Sequence, residues 1–303
     1  MKSIRLFGWM MLLSFVLTGC IREELKECPP LKIVLEVEDK NYFNIDEAEK
    51  LGLMKRVDEN LPFASYVHTL HYVISDEKGT IIKEQVNTPV EGDDKTLEIA
   101  LPASLPYGRY VITAWGNLKS DEALQNELAD FLDLEADGAA LQDVYMVSDT
   151  IDYRYGNEEY HLGMRRTKGN LVVQALDVPD LINFSTKKLK GVLSRVDNSW
   201  HYSESMTKAT QTNWSVSCDI VTKTLVGPSL RENGTTLRIR FFVQEDEENE
   251  LPGGVIQPDD AEITLYRNEI TILRYIYDPD KGSFKIYVYV NDLWQEVHSM
   301  EID

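Results

Sequence analysis

Residues that could do acid–base or metal chemistry are scattered along this chain, and few of them share a useful spacing. His68 and His71 are three residues apart within an apolar, strand-like run. Because successive side chains of a strand point to opposite faces, these two imidazoles cannot hold one metal ion together. Asp278 and Asp280 resemble part of an acidic calcium loop, but no closing Glu follows at the required spacing. We therefore interpret the histidines as structural and residues 278–282 as a tight turn.

No motif of an active site accompanies these residues. The chain contains no Gly-x-Ser-x-Gly, phosphate loop, zinc-protease helix or dinucleotide fingerprint. The acidic run at residues 245–248 is typical of a solvated loop, with weak cation binding as the alternative. We expect a protein that is not an enzyme, holds no metal or cofactor and has no small-molecule substrate.

Cys20 has the most informative setting of any reactive residue. A short cationic start precedes an apolar run at residues 6–16, which ends in Leu17-Thr18-Gly19-Cys20. This pattern is typical of a secretory signal and is too short for a membrane-spanning helix. The last four residues resemble the bacterial lipobox, which implies signal cleavage between Gly19 and Cys20 and acyl chains such as palmitate on Cys20. The alternative is an ordinary cleaved signal with a chance cysteine.

Two further cysteines, Cys28 and Cys218, lie far apart in the sequence and lack metal-ligand spacing. In an oxidising compartment they could form a disulfide. We favour the alternative, in which both are unpaired and partly buried thiols.

Composition narrows the class of protein and its partners. A 43% hydrophobic share is enough to build cores. The formal net charge of −20 argues against nucleic acid and against direct adhesion to anionic lipid. No other apolar run is long enough to cross a bilayer, so lipid alone would anchor the chain.

The elements that must position any site are mostly strands. Residues 31–38 alternate, with Leu31, Ile33, Leu35 and Val37 on one face, as in a half-buried strand. Helical spacing after a capping serine predicts one short helix within residues 120–132. Further strand patterns cover residues 67–75, 80–82, 97–101, 109–116, 160–162, 169–176, 189–196, 215–225, 236–243, 261–267, 269–277 and 284–290.

Strands at intervals of roughly 8 to 12 residues, with turn signals between them, predict β-sandwiches rather than a parallel sheet. No fixed-period repeat is visible. We divide the chain into a signal peptide (1–19), a lipidated tether (20–30), an N-terminal sandwich (31–165) and a C-terminal sandwich (166–303).

Three groups of residues resemble a known family. Cys20 is followed by acidic residues and then by Cys28-Pro29, as at the start of FimB-like fimbrial anchor subunits. Residues 71–76 resemble that family's apolar-Tyr-Val-Phe-Asp strand, with Ile-Ser in place of Phe. The sequence Leu101-Pro102, then Gly108-Arg109-Tyr110, then Ala114-Trp115-Gly116 is similar to its "Leu-Pro-Gly-Lys-Tyr … Ala-Trp-Gly" element.

The resemblance implies an outer-membrane lipoprotein of Bacteroidales type V pili, displayed on the cell surface. Such proteins have an all-β fold of two tandem transthyretin-like (Greek-key) β-sandwiches, and they assemble by β-strand complementation. An anchor or accessory subunit keeps its first strand, here residues 31–38, and docks a fimbrial stalk subunit. Asp149-Thr150-Ile151 also matches the Asp-Thr-aliphatic pattern of O-glycosylation in Bacteroidales envelope proteins, which would place a glycan on Thr150 unless the match is due to chance.

Two other functions stay open from the sequence. A glycan-binding surface lipoprotein would need exposed aromatic residues in a row, for which Trp200, Tyr202 and Trp214 are the candidates. A shaft or tip fimbrillin would instead lose its first strand after a basic residue such as Arg56, although Lys55-Arg56 is equally a surface pair. The sequence leaves open whether residues 293–303 donate a strand to a neighbouring subunit.

Overall fold

The chain is built mostly from strands, as its alternating sequence predicts. The computed structural model describes residues 29–124, 126–180, 182–214, 219–243 and 254–297. The first half contains β1 (Lys32–Val37), β2 (Thr69–Asp76), β3 (Ile81–Pro89), β4 (Thr96–Ala100), β5 (Gly108–Gly116), β6 (Phe131–Asp133), β7 (Tyr145–Tyr153) and β8 (Glu159–Arg166). The second half contains β9 (Gly169–Leu176), β10 (Ile182–Asp197), β11 (Tyr202–Asn213), β12 (Ile220–Val226), β13 (Thr235–Val243), β14 (Gly254–Ile256), β15 (Ala261–Ile263), β16 (Ile270–Asp278), β17 (Ser283–Val290) and β18 (Leu293–Glu296).

The first sandwich contains seven strands in the order β3-β2-β5-β7-β8-β1-β4. β7 and β8 pair through only two residue pairs, so one layer passes into the other at this point. The two layers enclose a single apolar core, which includes Leu35, Ile74 and Ile112.

The second sandwich has one sheet in the order β11-β10-β13-β14, with β15 also paired to β13. Its other sheet has the order β12-β9-β16-β17-β18. Aromatic residues fill the space between the sheets, where the rings of Phe241 and Phe284 stack with centroids 4.2 Å apart. The predicted tandem β-sandwich fold is therefore confirmed.

The two sandwiches repeat one topology that the sequence does not reveal. β1 lies between an antiparallel partner, β4, and a parallel partner, β8. β9 likewise lies between antiparallel β12 and parallel β16. Strand pairing depends on alternation and turns rather than on particular side chains, so such a repeat can exist without visible sequence similarity. The division of the chain at residue 165 stays a prediction, next to the end of β8 at Arg166 and the start of β9 at Gly169.

The predicted position of the helix is wrong. Residues 121–123 form only a 3₁₀ turn, and the segment continues into β6. The side-chain oxygen of Asn126 accepts hydrogen bonds from the backbone N–H groups of Leu128 and Asp130 (both 3.1 Å), which stabilises a turn in place of a helix. The short helix of this fold is instead α1 (Ile45–Lys50), in the connection between β1 and β2.

Each half of the molecule covers a sheet face of the other. Ile45 and Ala48 of α1 pack in one cluster with Val172, Ile270 and Ile272 of the second sandwich. In the opposite direction, β6 pairs with β10, and the segment around it packs against β2, β5 and β7. The connections after β1 and β5 therefore join the sandwiches through apolar contacts.

A buried arginine lies at the junction between the sandwiches. The side chain of Arg166 is 7% exposed, and its Nε donates to the carboxylate of Asp143 at 2.8 Å. Its Nη1 donates to the carbonyl oxygen of Asp39 at 2.8 Å and to Oδ1 of Asn268 at 3.2 Å. The guanidinium also lies over the rings of Tyr42 and Tyr145, 4.5 and 5.1 Å from their centroids. We call these six residues the junction network.

Lys168, two residues further along, is fully buried beneath the connection between β6 and β7. Its Nζ donates to the carbonyl oxygens of Ala139 (2.6 Å) and Ala140 (3.1 Å). Burial lowers the pKa of Lys168 to about 7, although the negative charges of Glu135 and Asp143 act in the opposite direction and raise the pKa. The folded state therefore holds this amine neutral at a pH where the unfolded chain still binds the proton.

We expect the free energy of unfolding to increase with pH between about 7.5 and 9.5, with Lys168 contributing up to about 1.4 kcal/mol per pH unit. The sign follows because the unfolded state binds more protons in this range. Lys187, whose pKa burial lowers to about 8, adds a contribution of the same sign. Urea denaturation at several pH values should show a smaller increase for Lys168→Met. The exposed Lys188→Met is the control, and an unchanged pH dependence in Lys168→Met would contradict the prediction.

Candidate functional site

The first strand of the molecule is seated as the sequence predicts. Leu31, Ile33 and Leu35 are at most 1% exposed and belong to the core of the first sandwich. On the other face, Lys32 Nζ lies 2.9 Å from the Glu98 carboxylate of β4. Alternation therefore fixes the register, because a shift of one residue would turn the apolar side chains towards water.

Both edges of β1 are hydrogen-bonded. Five residue pairs join it to β4 and six pairs join it to β8. The ladders extend beyond the strand, since Leu101 N donates to Leu31 O at 3.3 Å and Lys32 N donates to Glu158 O at 2.8 Å. β1 thus fills a slot with an apolar floor and two backbone edges, which is the kind of site that binds an extended segment. We call β1 with its flanking strands β4 and β8 the first-strand site.

The chain immediately before this site is held to the sandwich, since Tyr153 Oη donates to the carbonyl oxygen of Pro29 at 2.9 Å. Gly19, Cys20, Cys28 and Cys218 lie outside the described residues. Signal cleavage, lipid attachment and the alternatives for the two thiols therefore stay predictions.

Thr150 is exposed on β7, and its backbone N–H donates to the carboxylate of Asp149 at 2.7 Å. An exposed hydroxyl is open to modification, and O-glycosylation of Thr150 stays a prediction.

The residues that the sequence excludes as metal ligands have structural roles. His68 is exposed and His71 is buried, where burial lowers the pKa of His71. Asp278 pairs with Lys285 at 3.1 Å across the hairpin of β16 and β17, as expected for a tight turn. Among the described residues, no group of three or more His, Cys, Asp or Glu is placed to hold a metal ion. The acidic run at residues 245–248 lies outside them.

The candidate aromatic residues for a glycan site do not form an exposed row. The ring of Trp200 contacts the guanidinium groups of both Arg165 and Arg267, which lie 5.3 and 4.9 Å from its centroid. Tyr202 Oη donates to Thr167 O at 2.7 Å, and Trp214 Nε1 donates to Ile182 O at 3.1 Å. All three side chains are partly buried. They therefore support the packing of the second sandwich and its junction.

Arg56, the candidate processing residue, follows α1 and is 39% exposed. Its guanidinium lies 2.5 Å from Asp46 and 3.1 Å from Glu59, so it forms a surface ion-pair cluster. Cleavage after Arg56 would separate both β1 and α1 from the rest of the chain.

A surface that the sequence analysis missed is a cavity of about 530 Å³ beside β15 and the β17–β18 hairpin. Four carboxylates and two exposed aromatic rings line it: Glu47, Glu232, Glu262, Glu269, Phe43 and Tyr266. We call this cavity the acidic groove. One sequence signal could have located it, because the aromatic residues Phe43 and Tyr266 lie within two positions of the polar residues Asn44 and Asn268, which are typical of exposed turns.

Solved structures match the chain along most of its length. A candidate adhesin from Bacteroides ovatus has a TM-score of 0.58 at 12% identity, covering 93% of this chain and 98% of its own. A candidate polysaccharide-binding protein from Bacteroides thetaiotaomicron has a TM-score of 0.53 at 8% identity, covering 89% of this chain and 99% of its own. The fimbrial anchor protein Mfa2 from Porphyromonas gingivalis also matches, with a TM-score of 0.47 at 13% identity over 89% of this chain and 100% of its own.

No protein-family model and no curated protein sequence matches the chain. Within the part of the chain that the structure describes, no helix has the length and apolar character to cross a bilayer. The similarity of the chain is instead to solved structures. At identities of 8–13% such similarity shows the fold, and this chain therefore shares the fold of the candidate Bacteroides adhesins.

Proposed function

We propose that the chain is a non-enzymatic anchor or accessory subunit of a cell-surface fimbria. Lipid on Cys20 would hold it in the outer membrane, and it would dock the fimbrial stalk by β-strand complementation. The observation that carries the proposal is the first-strand site, in which β1 is paired along both edges. The fold shared with candidate adhesins and the motifs at the start of the chain support the same role.

A filled first-strand site suits a subunit that ends a fibre. Because β1 already occupies the slot between β4 and β8, a partner strand cannot enter there without displacing it. A docking stalk subunit would pair instead at an outer sheet edge, where backbone groups have no strand partner. β3 and β4 are the two outer strands of the first sandwich.

The alternative role as a shaft or tip fimbrillin rests on Arg56. Cleavage after this residue would release β1 and open the first-strand site to a strand from another subunit. A glycan-binding role has less support, because Trp200, Tyr202 and Trp214 are engaged within the molecule.

Replacing Cys20 by Ala is expected to move the protein, and the fibres attached to it, from the cell envelope into the medium. Several acyl chains, at roughly 0.8 kcal/mol per buried methylene, hold a protein on a membrane, and the variant lacks all of them. Immunoblots of envelope and medium, with electron microscopy of the cells, measure both effects.

Cys218→Ala is the matched control and should leave the protein in the envelope fraction. Cell-bound fibres of normal number on the Cys20→Ala cells would overturn the anchor role. Mass spectrometry of the envelope protein separates the alternatives. Lipid-modified Cys20 on the whole chain supports an anchor, whereas a chain that starts after Arg56 supports a shaft or tip subunit.

A further inference from the structure

The acidic groove is lined by negative charge. The described residues that line it include four glutamates and no lysine or arginine. These glutamates are Glu47, Glu232, Glu262 and Glu269. In the described part of the chain, none of their carboxylates forms an ion pair with a lysine or arginine. Burial and the neighbouring charge of Glu47 raise the pKa of Glu269. A cation placed in the groove would therefore be bound favourably.

The floor of the groove is apolar. By the period of two along β17, Val288 and Val290 lie on the same face as Phe284 and Ile286, which belong to the core. The row of core residues thus continues into the groove, where Val290 is 38% exposed. Phe43 (84% exposed) and Tyr266 (52%) add two rings to the same cavity. Water contacts apolar surface here that a bound chain would cover.

Two strands that contribute to the groove have unpaired edges. Among the described strands, β15 pairs only with β13, and β18 pairs only with β17. Ile263 of β15 and Gln295 of β18 both line the cavity. An extended segment can therefore pair with backbone groups at the groove and present alternate side chains to its floor and its rim.

We propose that the acidic groove binds an extended segment of a partner protein in which Lys or Arg alternates with branched apolar residues. The apolar side chains cover Val288 and Val290, and the cations meet the glutamates of the rim. Residues 298–303 of the chain itself contain Glu301 and Asp303 and no Lys or Arg, so charge complementarity favours another protein. This proposal does not depend on the fimbrial role, because the groove would bind such a segment whichever surface protein supplies it.

Fluorescence anisotropy with three labelled heptapeptides tests the proposal on the full-length protein in detergent. The peptides are KVKVKVK, its polar counterpart KSKSKSK and its acidic counterpart EVEVEVE. We expect KVKVKVK to bind at least about tenfold more tightly than either of the others. We also expect its affinity to fall several-fold between low salt and about 0.3 M salt, because salt screens exposed charges. Equal binding of KSKSKSK would overturn the proposal, since general attraction to an acidic chain would then account for it.

Variants locate the binding site. Glu47→Gln combined with Glu269→Gln should weaken KVKVKVK binding at least about tenfold, and Val290→Arg should abolish it. The matched controls are the exposed pair Glu122→Gln with Glu127→Gln, and Val221→Arg on β12, where the valine is 45% exposed. Groove variants that bind like the controls would refute the site. The two glutamine substitutions keep the test decisive if Val290→Arg disturbs the fold, and none of these results depends on Cys20.

Discussion

Replacing Leu35 by Asp is expected to lower the free energy of unfolding by more than about 4 kcal/mol, because it buries an unpaired carboxylate in an apolar core. Leu35 is 0% exposed at the centre of β1. A domain is typically stable by only about 5–15 kcal/mol, so the first sandwich would retain little stability. Urea denaturation followed by circular dichroism measures the change, with an early transition expected for the first sandwich.

The matched control is Val86→Asp, the same kind of substitution at a valine of β3 that is 47% exposed. It should change the stability by less than about 1 kcal/mol. Similar unfolding curves for Leu35→Asp and Val86→Asp would contradict the role of β1 as an integral strand of the core. They would also remove the main support for a filled first-strand site.

Replacing Arg166 by Met is expected to destabilise the protein by about 3–5 kcal/mol, because the substitution leaves a partly buried carboxylate without its partner. Asp143 would lose its ion pair with Arg166, and the carbonyl oxygen of Asp39 would lose a hydrogen bond. Methionine keeps much of the side-chain volume, so the loss reports mainly on the polar contacts of the junction network. Denaturant titration of the variant measures it.

Arg109→Met provides the control for Arg166. Arg109 lies 3.4 Å from Glu77, and both side chains are 61% exposed. An exposed ion pair contributes about 0–1 kcal/mol, so this variant should unfold almost as the parent does. If the two methionine variants proved equally stable, the junction network would not contribute to the stability of the fold.

Alternation and turn residues predicted many of the strands to within one or two residues. The predicted range 169–176 is that of β9. The range 31–38 extends one residue beyond β1 at each end, and 236–243 begins one residue after the start of β13. These strands have one or both faces buried, and the pattern of buried side chains is what the sequence displays.

The missed elements have identifiable causes. The sequence predicts only residues 189–196 of β10, because the charged Lys187 interrupts the apolar pattern. In the structure Lys187 is nevertheless buried, and its Nζ donates hydrogen bonds to the hydroxyl groups of Thr222 and Thr224. β11 is an edge strand of mostly polar residues and has no clear alternation in its sequence. α1 is six residues long, too short for a helical period to be recognised.

The candidate sites could be predicted only in part. The sequence predicted β1 as a half-buried strand, but not its parallel pairing with β8, in which Ile33 lies opposite Tyr160, 127 residues later in the chain. The junction network joins Asp39 to Arg166 and Asn268, residues that share no local pattern. The acidic groove likewise combines residues from α1, β15 and β17. Such sites depend on long-range packing, which periodicity does not encode.

The double pairing of β1 has a mechanical consequence. A pull on the chain ahead of Lys32 acts along the axis of β1, whereas its hydrogen bonds to β4 and β8 run across that axis. Tension is therefore shared as shear by both ladders at once, and they must rupture together rather than open one bond at a time. In a protein tethered through this end, the hydrogen bonds of β1 to β4 and β8 would bear the drag of flowing liquid, while the rest of the sandwich stays folded.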